Sequence, residues 1–141
     1  MELKIFTDGG ALNNPGPAAS AFLIYQDNKI ISQGSKFLGE NTNNFAEYNA
    51  VIITYEEIIK LLEKQPKIKK NLKKLIFHSD SSLLVNQLNG LFKIKNSIIR
   101  ELVFKVKGLE GTVNKEIIYK YIPREQNQEA DFLVKKCLGR A

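Results

Sequence analysis

Apolar residues along this chain change their spacing several times, and each change marks an element. From Leu3 to Asp8 they alternate, with Leu3, Ile5 and Thr7 on one face and Lys4, Phe6 and Asp8 on the other, which predicts a strand. Gly9-Gly10 and then Asn13-Asn14-Pro15-Gly16-Pro17 form a dense turn signal. Two further strands are expected over Ala19–Gln26 and Lys29–Ser35, joined by a tight hairpin at Asp27-Asn28, because both residues tolerate positive φ. The spacing then becomes helical. Phe45, Tyr48, Ile52, Tyr55, Ile59 and Leu62 share one face, Asn41–Asn44 offers the cap, and Pro66 with the lysines around it ends the run. A short strand follows over Lys74–His78, then a helix over Ser79–Asn89 closed by Gly90. Another helix opens at Asn96 or Ser97 and runs through Lys107, with Gly108 and Gly111 as its stop. Glu116–Tyr121 alternates again, and Gln126–Leu138 reads as the last helix. The order is β-β-β-α-β-α-α-β-α. Antiparallel strands first, then strands that arrive through helices, predict an α/β fold: a mixed five-stranded sheet flanked by helices.

Length and composition change this picture little. A chain of 141 residues is expected to form one domain, 1–141, burying roughly 68–70% of its unfolded surface without staples. With 43% hydrophobic and 26% charged residues it reads as an ordinary globular protein, not a disordered one. Cys137 is the only cysteine, which excludes an intramolecular disulfide and a cysteine-based zinc site. It lies in a helical pattern beside Leu133 and Leu138, where a packed thiol is expected. The first residues run straight into a strand without a signal-peptide pattern, and no apolar stretch is long enough to span a bilayer. A monomeric, cytoplasmic protein with no membrane contact is the expectation. The net charge of +6 has two readings, ordinary solubility and attraction to a phosphate backbone. Basic residues cluster at Lys64–Lys74 and again at Lys93, Lys95 and Arg100. The first cluster follows a helix, whose carboxyl end favours cations for purely structural reasons.

Candidate chemistry comes from four acids. Asp8 ends the first strand and Asp80 follows the fourth, so both are expected beyond the carboxyl ends of parallel neighbours, where open α/β sheets place their sites. Glu47 falls in the first turn of the first long helix and Asp131 in the early turns of the last. Each acid has a bland role of its own: helix-dipole partner for Glu47 and Asp131, helix cap for Asp80, turn former for Asp8. Four such coincidences at one sheet edge point instead to a converged cluster. Two like charges about 4 Å apart repel by roughly 4 kcal/mol at an effective dielectric near 20. A cluster of this kind raises its pKa values or binds a divalent metal.

The phrases around these acids are recognisable. They are Thr7-Asp8-Gly9-Gly10 with Asn13-Asn14-Pro15-Gly16-Pro17, Asn41-Thr42-Asn43-Asn44-Phe45-Ala46-Glu47, and Ser79-Asp80-Ser81 with Val85-Asn86-Gln87-Leu88. Lys93-Ile94-Lys95-Asn96 and Pro123-Arg124-Glu125-Gln126-Asn127-Gln128-Glu129-Ala130-Asp131 follow in the same order. Along essentially its whole length the chain resembles the ribonuclease H family, type 1. The resemblance implies an endonuclease that cuts the RNA strand of an RNA/DNA hybrid with two Mg²⁺ ions, Mn²⁺ being a possible substitute, and leaves a 3′-hydroxyl and a 5′-phosphate. It implies that Asp8 bridges both ions, that Asp131 completes the site activating the attacking water, and that Glu47 and Asp80 hold the second ion at the leaving oxygen. Hard carboxylate oxygens suit Mg²⁺. The resemblance also implies substrate contacts by Gly9, Gly10, Asn13, Asn14, Thr42, Asn43, Asn44, Ser81, Gln87, Lys93, Lys95, Arg124 and Asn127. Amide side chains fit such a role because they both donate and accept, although Asn13 and Asn43 also stand where turns and caps favour asparagine.

Two departures from the family pattern stand out. The loop before the last helix lacks the histidine that many members carry, leaving Arg124 or Glu125 as substitutes. The only histidine, His78, is expected to be a packed strand residue or a neighbour of Asp80. Asn89–Asn96 leads directly to the next helix, so the basic protrusion of the long forms is absent; weaker hybrid affinity is expected, partly offset by Lys93 and Lys95. Two other readings compete: the same fold acting on another substrate such as double-stranded RNA, and a catalytically silent nucleic-acid-binding module.

Overall fold

A computed structural model describes residues 1–140. Five strands form one sheet: β1 (Glu2–Ala11), β2 (Gly16–Gln26), β3 (Lys29–Asn41), β4 (Lys74–Ser79) and β5 (Glu116–Tyr121). They lie in the order β3-β2-β1-β4-β5. β2 is antiparallel to β1 and β3, while β4 is parallel to β1 and to β5, so the sheet is mixed in the way the chain order requires. The helices are α1 (Asn43–Lys64), α2 (Pro66–Asn71), α3 (Ser82–Leu88), α4 (Ser97–Val113) and α5 (Gln128–Cys137), with a single 3-10 turn over Arg124–Gln126.

Strand alternation decides which side of the sheet carries the core. Leu3 and Ile5 of β1 and Leu75 and Phe77 of β4 point to one face, where they meet Tyr48, Val51, Tyr55 and Ile58 of α1 and Val106 of α4. Each such side chain, fully buried, contributes about 1.5–3 kcal/mol by leaving water. Tyr55 and Tyr119 share a hydrogen bond of 2.6 Å within this core, and the Tyr119 hydroxyl donates on to Glu110 Oε2 at 2.6 Å, so neither buried phenol is left unpaired. On the opposite face α5 covers a smaller cluster in which Val134 packs on Ala19 and Ala21.

Several boundaries differ from those expected from the sequence. The hairpin at Asp27 and Asn28 forms with φ of 50° and 66°. β1, however, does not stop at Gly9; it continues through Gly10 and Ala11 because Gly9 and Gly10 pair with Ser20 and Ala19. β3 extends past Ser35 to Asn41, kept in register by an irregularity opposite Ala18 and Ala19. The lysine-rich stretch after Pro66 is the short helix α2: proline at its first position starts that helix as well as ending α1. α4 passes through Gly108 and Gly111 and ends at Asn114, which takes the left-handed conformation at φ 55°. The link between α3 and α4 runs only from Asn89 to Asn96.

Candidate active site

The end of the sheet where β1 and β4 finish is open, and α1 and α5 begin there. Thr42 caps α1, its hydroxyl accepting from the Phe45 amide at 3.1 Å. The Asn43 amide donates to Asn14 Oδ1 at 2.9 Å, and Asn43 Oδ1 accepts from the Ala11 amide at 2.7 Å. These bonds tie the start of α1 to the β1–β2 turn. Further along, Gly9 lets helix and strand approach: a Cβ there would lie 2.5 Å from the Glu47 amide nitrogen, closer than real Cβ atoms come. Ser20 adds a hydroxyl bond of 2.6 Å to the Ala46 carbonyl. The outcome is that Glu47 faces Asp8.

Asp8, Glu47 and Asp80 each present a carboxylate oxygen within 4.8 Å of the other two. Asp131 lines the same cleft, of about 480 Å³, but is turned to Lys135 Nζ at 2.9 Å, one helical turn further along α5. Two of the bland roles fall away. Ser81, not Asp80, caps α3, accepting from the Leu84 amide at 3.2 Å. Glu47 lies beyond the first turn of α1, which contains no acid. Asp8 and Glu47 are buried, at 7% and 8% exposure. Burial, then the nearby Asp80 charge, pushes the Asp8 carboxyl up to about 7. Burial and the Asp8 charge push Glu47 well above its ordinary value. Asp80 is raised by burial, opposed by Arg124, whose Nε lies 3.9 Å from Asp80 Oδ2. A cluster that resists ionisation when bare is one that a hard divalent cation would stabilise. The residues fit such an ion: every donor is a carboxylate oxygen, and buried Glu47 Oε2 has no protein partner.

Of the expected substrate-contacting residues, Gly10, Asn43, Asn44, Ser81 and Arg124 line the cleft. Gly9 also borders it but is buried against α1, donating its N–H to Glu47 Oε1 at 3.3 Å. Asn13 (φ 57°), Asn14 and Thr42 sit on the rim, the first shaping the turn and the others spent on the bonds above. Gln87 stands apart on α3, where its Oε1 accepts from the Tyr48 hydroxyl at 2.5 Å. Lys93 and Lys95 are exposed on the link before α4. Asn127 requires a correction. It is 1% exposed, so it offers no surface to a substrate; its amide donates to the Thr7 carbonyl at 2.9 Å. It ties the turn before α5 to β1. His78 is likewise packed, with Nδ1 3.0 Å from the Ile5 carbonyl and its ring stacked on Phe6. Lys135 and Arg140 also line the cleft and were not expected; the signal for Lys135 was its i+4 spacing from Asp131. A separate hollow of about 410 Å³ behind α5, lined by Phe6, Tyr25 and Glu129, contains none of the four acids.

Comparison with known proteins agrees with this geometry. The family model described as "Reverse transcriptase-like" matches residues 6–137. The chain belongs to the ribonuclease H family, type 1. It is 27% identical, over its whole length, to the bifunctional protein Rv2228c of Mycobacterium tuberculosis, of which it covers 36%. It is 28% identical over 96% of its length to ribonuclease HI of Halobacterium salinarum, covering 64% of that protein. The chain thus spans about a third to two thirds of these curated relatives. Among solved structures, LC11-RNase H1, isolated from compost and crystallised with an RNA/DNA hybrid, superposes with a TM-score of 0.87 at 32% identity, covering 95% of this chain and 94% of that one. The Halobacterium ribonuclease H1 structure gives 0.87 at 27% identity with both chains fully covered. The family is metal-dependent, and this chain carries a carboxylate cluster that could hold an ion. No helix among the described residues is long and apolar enough to cross a membrane.

Proposed function

We propose that this chain, acting as a single domain, is an endonuclease that hydrolyses the RNA strand of RNA/DNA hybrids, leaving a 3′-hydroxyl and a 5′-phosphate. The observation that carries this reading is the meeting of Asp8, Glu47 and Asp80 within 4.8 Å in a cleft that also holds Asp131. Its likeness to a ribonuclease H1 seen with an RNA/DNA hybrid supports the substrate class. Asp8, Glu47, Asp80 and Asp131 would hold two Mg²⁺ ions, with Mn²⁺ as a substitute. Bound there, such ions stabilise the entering and leaving oxygens of an in-line displacement at phosphorus.

The chain's own residues do the rest. Asp8 and Glu47, buried together, supply fixed carboxylates that need no reorganisation to bind. Asp131 is 33% exposed at its side chain, so it is the carboxylate reached by solvent and the one suited to orient the attacking water. Arg124, with its side chain 83% exposed but anchored near Asp80, reaches toward the strand and takes the place of the family's loop histidine in contacting the scissile region. Asn43 and Asn44 offer amides at the cleft to 2′-hydroxyls and base edges, and a DNA strand, which lacks the 2′-hydroxyl, would leave part of that capacity unpaired. Lys93 and Lys95 meet phosphates further along the duplex.

The test is an end-labelled RNA/DNA hybrid, with RNA/RNA and DNA/DNA duplexes beside it, incubated with Mg²⁺ or EDTA. Internal cutting of the RNA strand of the hybrid only with Mg²⁺ is expected. Binding without cutting in Mg²⁺ and Mn²⁺ would instead make the chain a nucleic-acid-binding module.

A further inference from the structure

The net positive charge of this chain is not at its cleft, where Arg124, Lys135 and Arg140 stand against four acids. Residues 60–74 hold seven lysines against one glutamate, a net +6 equal to that of the whole chain; elsewhere fourteen cations balance fourteen anions. α1 begins beside the carboxylates and ends at Lys64. At 1.5 Å per residue, the rise from Glu47 to Lys64 separates the two by about 25 Å. β4 gives the same separation in kind, since it starts at Lys74 and delivers Asp80 beyond its other end.

Lys60, Lys64, Lys67, Lys69, Lys70 and Lys73 are all exposed. Among the described residues none of the six is in an ion pair; in this segment only Lys74 is, with Glu116 at 3.8 Å. Helix-dipole contacts account for part of the pattern, Lys64 in the last turn of α1 and Lys69 and Lys70 in that of α2. They do not account for six. α2 buries none of its residues fully; Ile68 rests against the core, and Lys115 Nζ donates to the Lys69 carbonyl at 3.0 Å. Crowding uncompensated cations around so lightly held a helix destabilises it, and a polyanion would relieve that strain.

We propose that this lysine pole is a second nucleic-acid contact, which grips the phosphate backbone of a strand or duplex outside the cleft by charge and without sequence preference. Lysines make point-charge contacts of this type, whereas bidentate base reading favours arginine. No exposed large hydrophobic residue lies within residues 60–74, so the surface lacks both the rings that stack bases and the apolar face that enters a bilayer. The surface stands whether or not the cleft cuts. It predicts that long nucleic acids bind better than those only filling the cleft.

The experiment compares the wild type with K64Q/K67Q/K69Q/K70Q/K73Q, whose melting temperature is checked first; K67Q/K69Q/K70Q serves if the larger set does not fold. Binding of a fluorescein-labelled DNA duplex about three turns long is followed by anisotropy in EDTA over a range of KCl concentrations. We expect binding at low salt to weaken about tenfold or more, and the slope of log K against log salt to become shallower by about 0.9 for each lysine that meets a phosphate. With Mg²⁺, cleavage of a one-turn hybrid is expected to be unchanged while KM for a three-turn hybrid rises. An unchanged slope and affinity would overturn the proposal, as would loss of binding to phosphatidylglycerol vesicles with duplex binding intact. A changed slope in a protein that cuts nothing would leave this surface standing and remove the nuclease reading. Normal cleavage with an unchanged slope would do the reverse.

Discussion

Asp8 is the side chain on which the chemistry of the cleft turns. Burial and Asp80 together push its carboxyl up to about 7, so the bare protein holds a proton where a metal ion would sit. Asp8→Asn removes one charge from that cluster at little cost in packing. Cleavage is expected to fall below detection, while the melting temperature of the metal-free protein near neutral pH stays at or above that of the wild type. A D8N variant that cuts normally would take Asp8 out of the mechanism. Lys135 acts in the opposite sense. Its ammonium, 2.9 Å from Asp131, already neutralises one acid of the set and competes with a cation for it. Exposed i,i+4 pairs are weak, so the effect will be small. Lys135→Met is expected to tighten divalent-ion binding, measured by calorimetry without nucleic acid, by a few-fold; unchanged or weaker binding would show that Lys135 does not compete.

At the scale of elements, the site depends on how closely α1 approaches β1. Gly9 makes this possible, and its Cβ-free surface meets backbone, which cannot swing aside as a side chain can. Gly9→Ala therefore has to push α1 away and carry Glu47 with it. A loss of about 1–3 kcal/mol in denaturant unfolding is expected from overpacking, with a disproportionate fall in cleavage. A variant with normal stability and normal rate would mean that the helix yields without moving Glu47. The same elements show what sequence reveals. Strand alternation at Leu3–Asp8, helical spacing from Phe45 to Leu62 and the crossover rule were enough for a mixed five-stranded sheet with β1 and β4 as parallel neighbours and for the edge at which Asp8, Glu47 and Asp80 meet. Glycine was a poorer guide. Gly9-Gly10 continues β1 because partner residues on β2 complete the ladder, and α4 passes Gly108 and Gly111 because Val113 is buried beyond them. Tertiary packing outweighed a local preference of about 1 kcal/mol per glycine. Asn127 misled for a related reason: a motif position does not say whether a side chain faces the cleft or the protein behind it. Arg140 gave no local signal because only the end of α5 brings it to the cleft.

Over the whole molecule the two kinds of charge are set apart, with buried acids at one end and unpaired lysines at the other. This arrangement makes stability depend on pH and on metal together. A carboxyl whose folded value lies above its ordinary one binds a proton more tightly in the fold, so its contribution is full below the unfolded value and is lost as pH rises through the folded value. For Asp8 that window runs from 3.8 to about 7, and Glu47 extends it upward. His78 works against this at lower pH. Burial holds it neutral in the fold, so its contribution grows with pH until the ordinary histidine value of 6.5 is passed and then stays constant. Above that value the His78 contribution no longer changes, the raised carboxyls still lose theirs, and the metal-free protein is expected to melt at a lower temperature near pH 8 than near pH 6.5. Divalent ions compete with the same protons. Millimolar Mg²⁺ without nucleic acid should therefore raise the melting temperature more near pH 8 than near pH 6, by stabilising only the folded state. An equal shift at both values would mean that the ions bind elsewhere than at Asp8 and Glu47. In the D8N protein the difference between the two values should shrink, because the carboxyl that links proton and metal is gone.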